Sequence, residues 1–326
     1  MNLIQPIKIA VVGSGSVGAS FADALLLQGL ATEIMMIDKD MKLAEGQAMD
    51  LQHTVPLSYQ TEIMAGQLSD IAGAAVTVVC VGQRQKAGIK RTDLIRHNAG
   101  VLKEVVPEIA KYNPDGIILI ATDPVDVLTY GAWKLSGLPR RLVMGSGTVP
   151  DTSRFRYLLG KHFHVDPHSV NAFILGEHGE SELPVWSSAN IAGIPVHDLC
   201  AKHGCKPSAL EEIFHETRDA AEAIIERKGS TCYAIAAALV RIVRSIVRNE
   251  NLILSVSSVL ENEYGVSDVA LSVPAVVGNR GIDHLLPLEL SDYEVGELFV
   301  ASQKIREALE VSDFKRFAAH PWVMAS

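Results

Sequence analysis

The chain has little cysteine and no C-x-x-C pair. Cys80, Cys200, Cys205 and Cys232 give neither a disulfide framework nor a zinc spacing, so no metal and a reducing, cytoplasmic setting are expected. No apolar run is long enough to span a membrane. The apolar start is too short for a signal peptide and suits a first strand. Positive charge is also scarce, with 29 Lys and Arg against 38 Asp and Glu. The net charge of -9 argues against nucleic acid or an anionic membrane as the main partner, though a local basic pocket for an acidic ligand is still allowed. There is no internal repeat and no low-complexity segment. At 326 residues, 48% hydrophobic and 21% charged, the chain can bury one large core or two modest ones.

What is present is concentrated at the start. Residues 7–12 read as a buried strand, Gly13-Ser14-Gly15-Ser16-Val17-Gly18 as a turn, 19–28 as a helix ended by Gly29, and 33–37 as a second strand stopping at Asp38. A dinucleotide site needs this order. Gly13 turns the chain off the strand, Gly15 lets a pyrophosphate approach the backbone, and Gly18 lets helix and strand pack closely. Asp38, twenty residues after Gly18, can accept hydrogen bonds from a ribose and would repel a 2′-phosphate, which favours NAD over NADP. Glycines also make ordinary turns, but here strand, loop, helix, strand and acid follow one another.

Further strands are expected at 76–81, 116–121 and 141–144, with helices at 40–51, from Thr92 or Asp93 to about Tyr112, and from Pro124. This alternation implies a parallel, doubly wound sheet with ligands at the strands' C-terminal ends. The loop from Gly82 and Gln83 to Arg91 carries four cations. It reads as a solvated connector or, given its place, as a lid bringing a cation to an anionic ligand. Asp123 reads as a helix cap or a site residue. Asp151 opens a helix near which Arg154 and Arg156 are unusual, because the dipole disfavours cations in a first turn. Asp151 and Arg154 share a face, as an ion pair or an anion site. A strand at 170–175 ends in Gly176-Glu177-His178-Gly179, an exposed histidine turn, while His162, His164 and His168 read as surface residues. Antiparallel strands at 183–196, helices at 207–228 and 231–248, strands at 252–260, 270–277 and 282–290, and a helix from Ser291 make the second half α+β. The wide apolar face of the 231–248 helix suits burial on two sides, or a subunit contact.

A bound NAD calls for a hydride partner, and the simplest is a carbonyl that also needs a proton. Histidine titrates near ~6.5 and suits that proton. A carboxylate beside it favours the protonated form, one arginine can polarise the carbonyl, and a second can hold a carboxylate. His178, Asp151, Arg91 and Arg154 supply one candidate for each part.

These residues and their surroundings resemble the lactate/malate dehydrogenase family from about Lys8 to Leu309. The matching stretches are 11–18, 82–91, 121–130, 151–157 and 176–186. The resemblance implies a Rossmann-type α/β domain over 1–149 that binds NAD and an α+β substrate domain over 150–326. It implies that His178, paired with Asp151, exchanges the proton, that Arg154 holds the substrate carboxylate, and that Arg91 arrives with a closing loop. Ser146 and Ile235 are implied beside the nicotinamide, and Thr231 in the substrate pocket. A homotetramer or a dimer is implied too. Gln85 stands where malate dehydrogenases carry arginine, so a 2-oxo acid without a second carboxylate, pyruvate, is expected. Three positions depart from the family: Asp123 for asparagine, Pro150 for leucine, and Asn171 for the histidine of many members activated by fructose 1,6-bisphosphate. The alternatives are a dehydrogenase for malate or a bulkier 2-hydroxy acid, and a dinucleotide-binding protein with weak turnover. A methyltransferase would share the glycine loop but has no use for the histidine and arginines.

Overall fold

A computed structural model describes residues 6–83, 90–206 and 208–317. The first half alternates as the hydrophobic pattern requires: β1 (Lys8–Val12), α1 (Ser16–Leu27), β2 (Glu33–Ile37), α2 (Met41–Thr54), β3 (Glu62–Gly66), β4 (Val76–Val79), α3 (Arg91–Tyr112), β5 (Ile117–Ile120), α4 (Val125–Ser136) and β6 (Val143–Gly145). The strands lie in the order β3-β2-β1-β4-β5-β6, all parallel. β1, β4 and β5 are buried on both faces, which is why, Lys8 and Thr77 apart, their residues are apolar rather than alternating.

The second half continues with α5 (Val149–Phe163), β7 (Val170–Asn171), β8 (Ile174–Gly176), β9 (Glu182–Pro184), β10 (Asn190–Ile191), β11 (Ile194–Pro195), α6 (Val196–His203), α7 (Ala209–Lys228), α8 (Tyr233–Val247), β12 (Leu252–Glu261), β13 (Ser267–Gly278), β14 (Gly281–Leu285) and α9 (Asp292–Ser312). β12 pairs antiparallel with β6 at Ser257 and Gly145, so the two halves share one sheet that runs on through β13, β8 and β9. β12 and β13 separate β6 from β8 in the sheet, and the segment after β6 reaches β8, where Thr148 Oγ1 donates to the Ile174 carbonyl at 2.5 Å.

Several expected bounds shift. α1 starts at Ser16 rather than residue 19, because Gly15 already serves as its N-cap. α4 starts at Val125 with Pro124 as its cap, so Asp123 is not the cap. α3 begins at Arg91. The strand expected over 282–290 ends at Leu285, and that expected over 183–196 is three short pieces followed by α6, which the sequence reading lacks. α6 is eight residues long, too short for a clear period, and is bounded by Pro195 and by Gly204 at φ 67. The apolar face of α8 packs within the chain, against α1 and β13.

Candidate active site

The glycine turn is built for close approach. Gly13 has φ 106, and a Cβ there would sit 2.7 Å from the Cys80 carbonyl carbon. A Cβ on Gly18 would lie 1.9 Å from the Gly13 oxygen. Gly15 leaves the first turn of α1, with Val17, without a side-chain cap, so its backbone N–H groups face the turn unclaimed. Asp38 closes the far side: one carboxylate oxygen accepts from the Ser14 N–H at 2.8 Å and the other from the Asp40 N–H at 3.0 Å. Free N–H groups at a helix start, no side chain in the way and an acid at the end of β2 fit a dinucleotide.

The neighbouring loops are tied together by a residue the sequence reading does not single out. Asn98, fully buried on α3, accepts from the Gln83 N–H at 2.7 Å and donates to the Gln83 and Asp123 carbonyls at 3.1 and 2.7 Å. It thereby sets the ends of β4 and β5 relative to each other. Gly82, at φ 133, must be glycine here, because a Cβ would meet the Asn98 Oδ1 at 2.7 Å. Ser146 is buried just after β6, its N–H donating to the Ile120 carbonyl at 2.8 Å. Gln85 lies outside the described residues.

α5 brings two site residues to the same place. It begins at Val149, and Pro150 falls in its first turn, where a missing N–H costs nothing. Asp151 is buried, and Arg154 lies three residues on, one turn past the position at which the dipole would oppose it. The Arg154 guanidinium donates to Asp151 Oδ1 at 2.5 Å. The other oxygen, Oδ2, meets His178 Nδ1 at 2.6 Å. His178 Nε2 is thus left facing outward, 3.9 Å from the Asp123 carboxylate. Burial opposes the charge on His178, but Asp151, then Asp123 and Glu182, outweigh it and push its pKa to about 10. Burial likewise opposes ionisation of Asp151, yet His178 and Arg154 together hold it below the usual carboxylate range.

Asp126 fixes the histidine's backbone and is a second residue missed in the sequence. It is buried in the first turn of α4 and reads there as an ordinary dipole-favoured acid. In the fold its Oδ2 accepts from the His178 N–H at 2.7 Å, while Oδ1 accepts from Ser257 Oγ at 2.6 Å and Ser272 Oγ at 3.4 Å. Burial pushes Asp126 up to about 6, against the pull of these hydrogen bonds. Arg91 opens α3 and pairs with Glu177, which is buried and also accepts from Ser181 Oγ. This pairing offsets the cost of a cation at a helix start and keeps Arg91 beside Gly179. Arg91 therefore belongs to the helix rather than to the loop before it. Thr231 and Ile235 are half-buried at the start of α8, and nothing among the described residues bonds Thr231 to the His178 cluster. Arg156 donates from Nε to the Ala172 carbonyl at 2.8 Å and stacks on Phe173, while Asn171 is exposed in β7.

A dinucleotide cradle after β1 and an outward histidine held charged by a buried acid after β8 belong to one continuous sheet. Residues 7–145 match the family model for the lactate/malate dehydrogenase NAD binding domain, and residues 148–313 that for the α/β C-terminal domain of the same enzymes. The chain belongs to the lactate/malate dehydrogenase family. It is 47% identical over 308 residues to an L-lactate dehydrogenase of Acetivibrio thermocellus, covering 94% of this chain and 97% of that one. It is equally 47% identical over 308 residues to a probable L-lactate dehydrogenase of Schizosaccharomyces pombe, covering 94% and 93%. Among solved structures, a lactate dehydrogenase from a Medee basin deep-sea metagenome library superposes with a TM-score of 0.92 at 40% identity, covering 95% of this chain and 100% of that one. A minor L-lactate dehydrogenase of Enterococcus mundtii gives 0.91 at 35% identity, covering 94% and 98%. As a member of this family, the chain is an NAD-dependent oxidoreductase.

Proposed function

We propose that the chain interconverts pyruvate and L-lactate, with His178 as the acid and base. The observation that carries this is the 2.6 Å contact between His178 Nδ1 and buried Asp151, which aims a protonated Nε2 at the ends of β5 and β8. NADH supplies the hydride when bound. The cradle of Gly13, Gly15, Gly18 and Asp38 would hold its adenosine half, and Gly82, Gln83, Ser146 and Ile235 would border the rest. Arg154 binds the substrate carboxylate, sharing its charge with Asp151. Nε2 gives its proton to the developing alkoxide and reclaims it in the reverse direction, and Asp151 stabilises the imidazolium. Arg91 can turn from Glu177 toward the carbonyl oxygen as substrate enters. Asp126 acts only by fixing the His178 backbone.

Gln85 and the names of the relatives favour pyruvate over oxaloacetate. Oxidation of NADH with pyruvate, oxaloacetate and branched 2-oxo acids in turn tests this reading. The highest kcat/KM should fall to pyruvate, and a highest value for oxaloacetate would replace pyruvate with malate chemistry. We further propose a domain division at residue 149, a cytoplasmic setting and a homotetramer or dimer. No described helix is long and apolar enough to cross a membrane. Exposed Met49, Leu57 and Tyr59 on and after α2 favour association, which sedimentation would measure.

A further inference from the structure

A second cluster of reactive side chains lies at the other end of α5. His162 is in its last turn, eleven residues beyond Asp151 and so roughly 16 Å further along the helix. Cys200 is buried on α6, and Cys205 follows just past the left-handed Gly204 cap, which reverses the chain. The Cys205 N–H donates to the Cys200 carbonyl at 3.0 Å, and this turn brings the two thiols together. His162 Nε2 lies 3.2 Å from Cys205 Sγ. One ligand atom from each of the three residues falls within 4.8 Å of the other two. The sequence shows only C-x₄-C, and the histidine arrives because α5 and α6 bury Leu158, Leu159 and Cys200 in one hydrophobic cluster.

The geometry points to a binding site for a thiophilic divalent cation, zinc or its like, held by His162 Nε2, Cys200 Sγ and Cys205 Sγ. Tetrahedral zinc, with bonds of ~2.0 Å to nitrogen and ~2.3 Å to sulfur, places its ligand atoms roughly 3.3–3.8 Å apart. The nitrogen–sulfur contact already has about that span, and the remaining closure needs only rotation of the cysteine side chains. Both cysteines line a cavity of about 370 Å³ with Trp186, His197 and Glu211, which leaves a fourth position open to water or to one of those side chains. Burial, then the hydrogen bond with Cys205, raises the Cys200 thiol, so Cys200 must give up a proton as the cation enters. Lys206 on the cavity wall opposes a cation and Glu211 favours it, although Glu211 also pairs with His215. A bound ion would tie the end of α5 to the chain leaving α6, and so raise thermal stability.

The test uses the full, metal-stripped chain. Zinc is titrated against a competing chelator, and cobalt is followed by absorption. One equivalent of zinc should bind, cobalt should show a thiolate charge-transfer band, and the melting temperature should rise. Cys205→Ser and His162→Gln should each weaken zinc on the order of 100-fold or more, because losing a ligand costs at least as much as losing its outer partner. Both variants should keep metal-free NADH-dependent turnover, which confirms that they fold. No zinc binding at micromolar concentration overturns the proposal. So does cobalt bound without the charge-transfer band, or equal zinc affinity in Cys205→Ser. Either of these would move the ion to oxygen and nitrogen ligands, such as Asp151, His178 and Glu182.

Discussion

The two ends of the site are made of different material. The cofactor end is backbone: a turn, a helix start and one acid, all between Gly13 and Asp38. The proposed proton-transfer end is side chains drawn from α3, α4, α5, the turn after β8, β12 and β13. The first works because Cβ atoms are missing. The second works because buried charges balance, so a single lost partner strands a charge away from water. A substitution at one end should therefore leave the other nearly intact.

His178→Ala is the strongest test of that separation. Turnover should fall by roughly 10²–10⁴-fold, the usual share of a positioned acid or base, while NADH affinity measured by fluorescence stays nearly unchanged. A parallel loss of NADH binding would show that the two ends are one unit. Asp38→Ser attacks the other end. The preference for NADH over NADPH should narrow by about 10- to 100-fold, the worth of a charged hydrogen bond, with the KM for pyruvate unmoved. A KM that rises with it would break the comparison.

Asn98→Ala sharpens it, because Asn98 bridges the ends of β4 and β5. Leaving its buried backbone partners unsatisfied should cost about 1–3 kcal/mol in denaturant unfolding and raise the KM for both NADH and pyruvate. A stability loss with unchanged kinetics would make Asn98 a packing residue only. The smallest effect is expected of Asp123→Asn. The Asp123 side chain is 58% exposed and 3.9 Å from His178, so solvent screens it. The kcat/KM for pyruvate should rise about two- to five-fold above neutral pH, and less in high salt. Equal values at every pH and salt would leave Asp123 a bystander.

The same contrast decides what could be read from the chain. The glycine turn and Asp38 are neighbours in sequence, and each has a backbone reason to be where it is. β1, β4 and β5 are legible because burial on both faces makes them almost wholly apolar. His178, Asp151 and Arg154 can be nominated by residue type, but the contact between Asp151 and His178 joins positions 27 apart in the chain. Asp126 and Asn98 stayed hidden. An acid in a helix's first turn and an amide on a helix both have ordinary explanations; the partners of Asp126 come from the turn after β8 and from β12, and those of Asn98 from the ends of β4 and β5. α6 and the short strands before it are too brief to carry a period, so the antiparallel second half is less legible than the first.

In the proposed reaction, Asp151 keeps His178 charged so that it can donate a proton. Because the folded pKa of His178 is raised to about 10, above an unfolded value near ~6.5, the pair's stabilisation is full below ~6.5. It is lost as pH rises through about 10. Pyruvate reduction needs the same proton, so its kcat/KM should decline on that alkaline limb. The most direct measurement is this pH profile for the parent chain and for Asp151→Asn. In the variant the limb should move down by about 1–3 pH units, the usual effect of one adjacent charge. A limb that stays in place would contradict it.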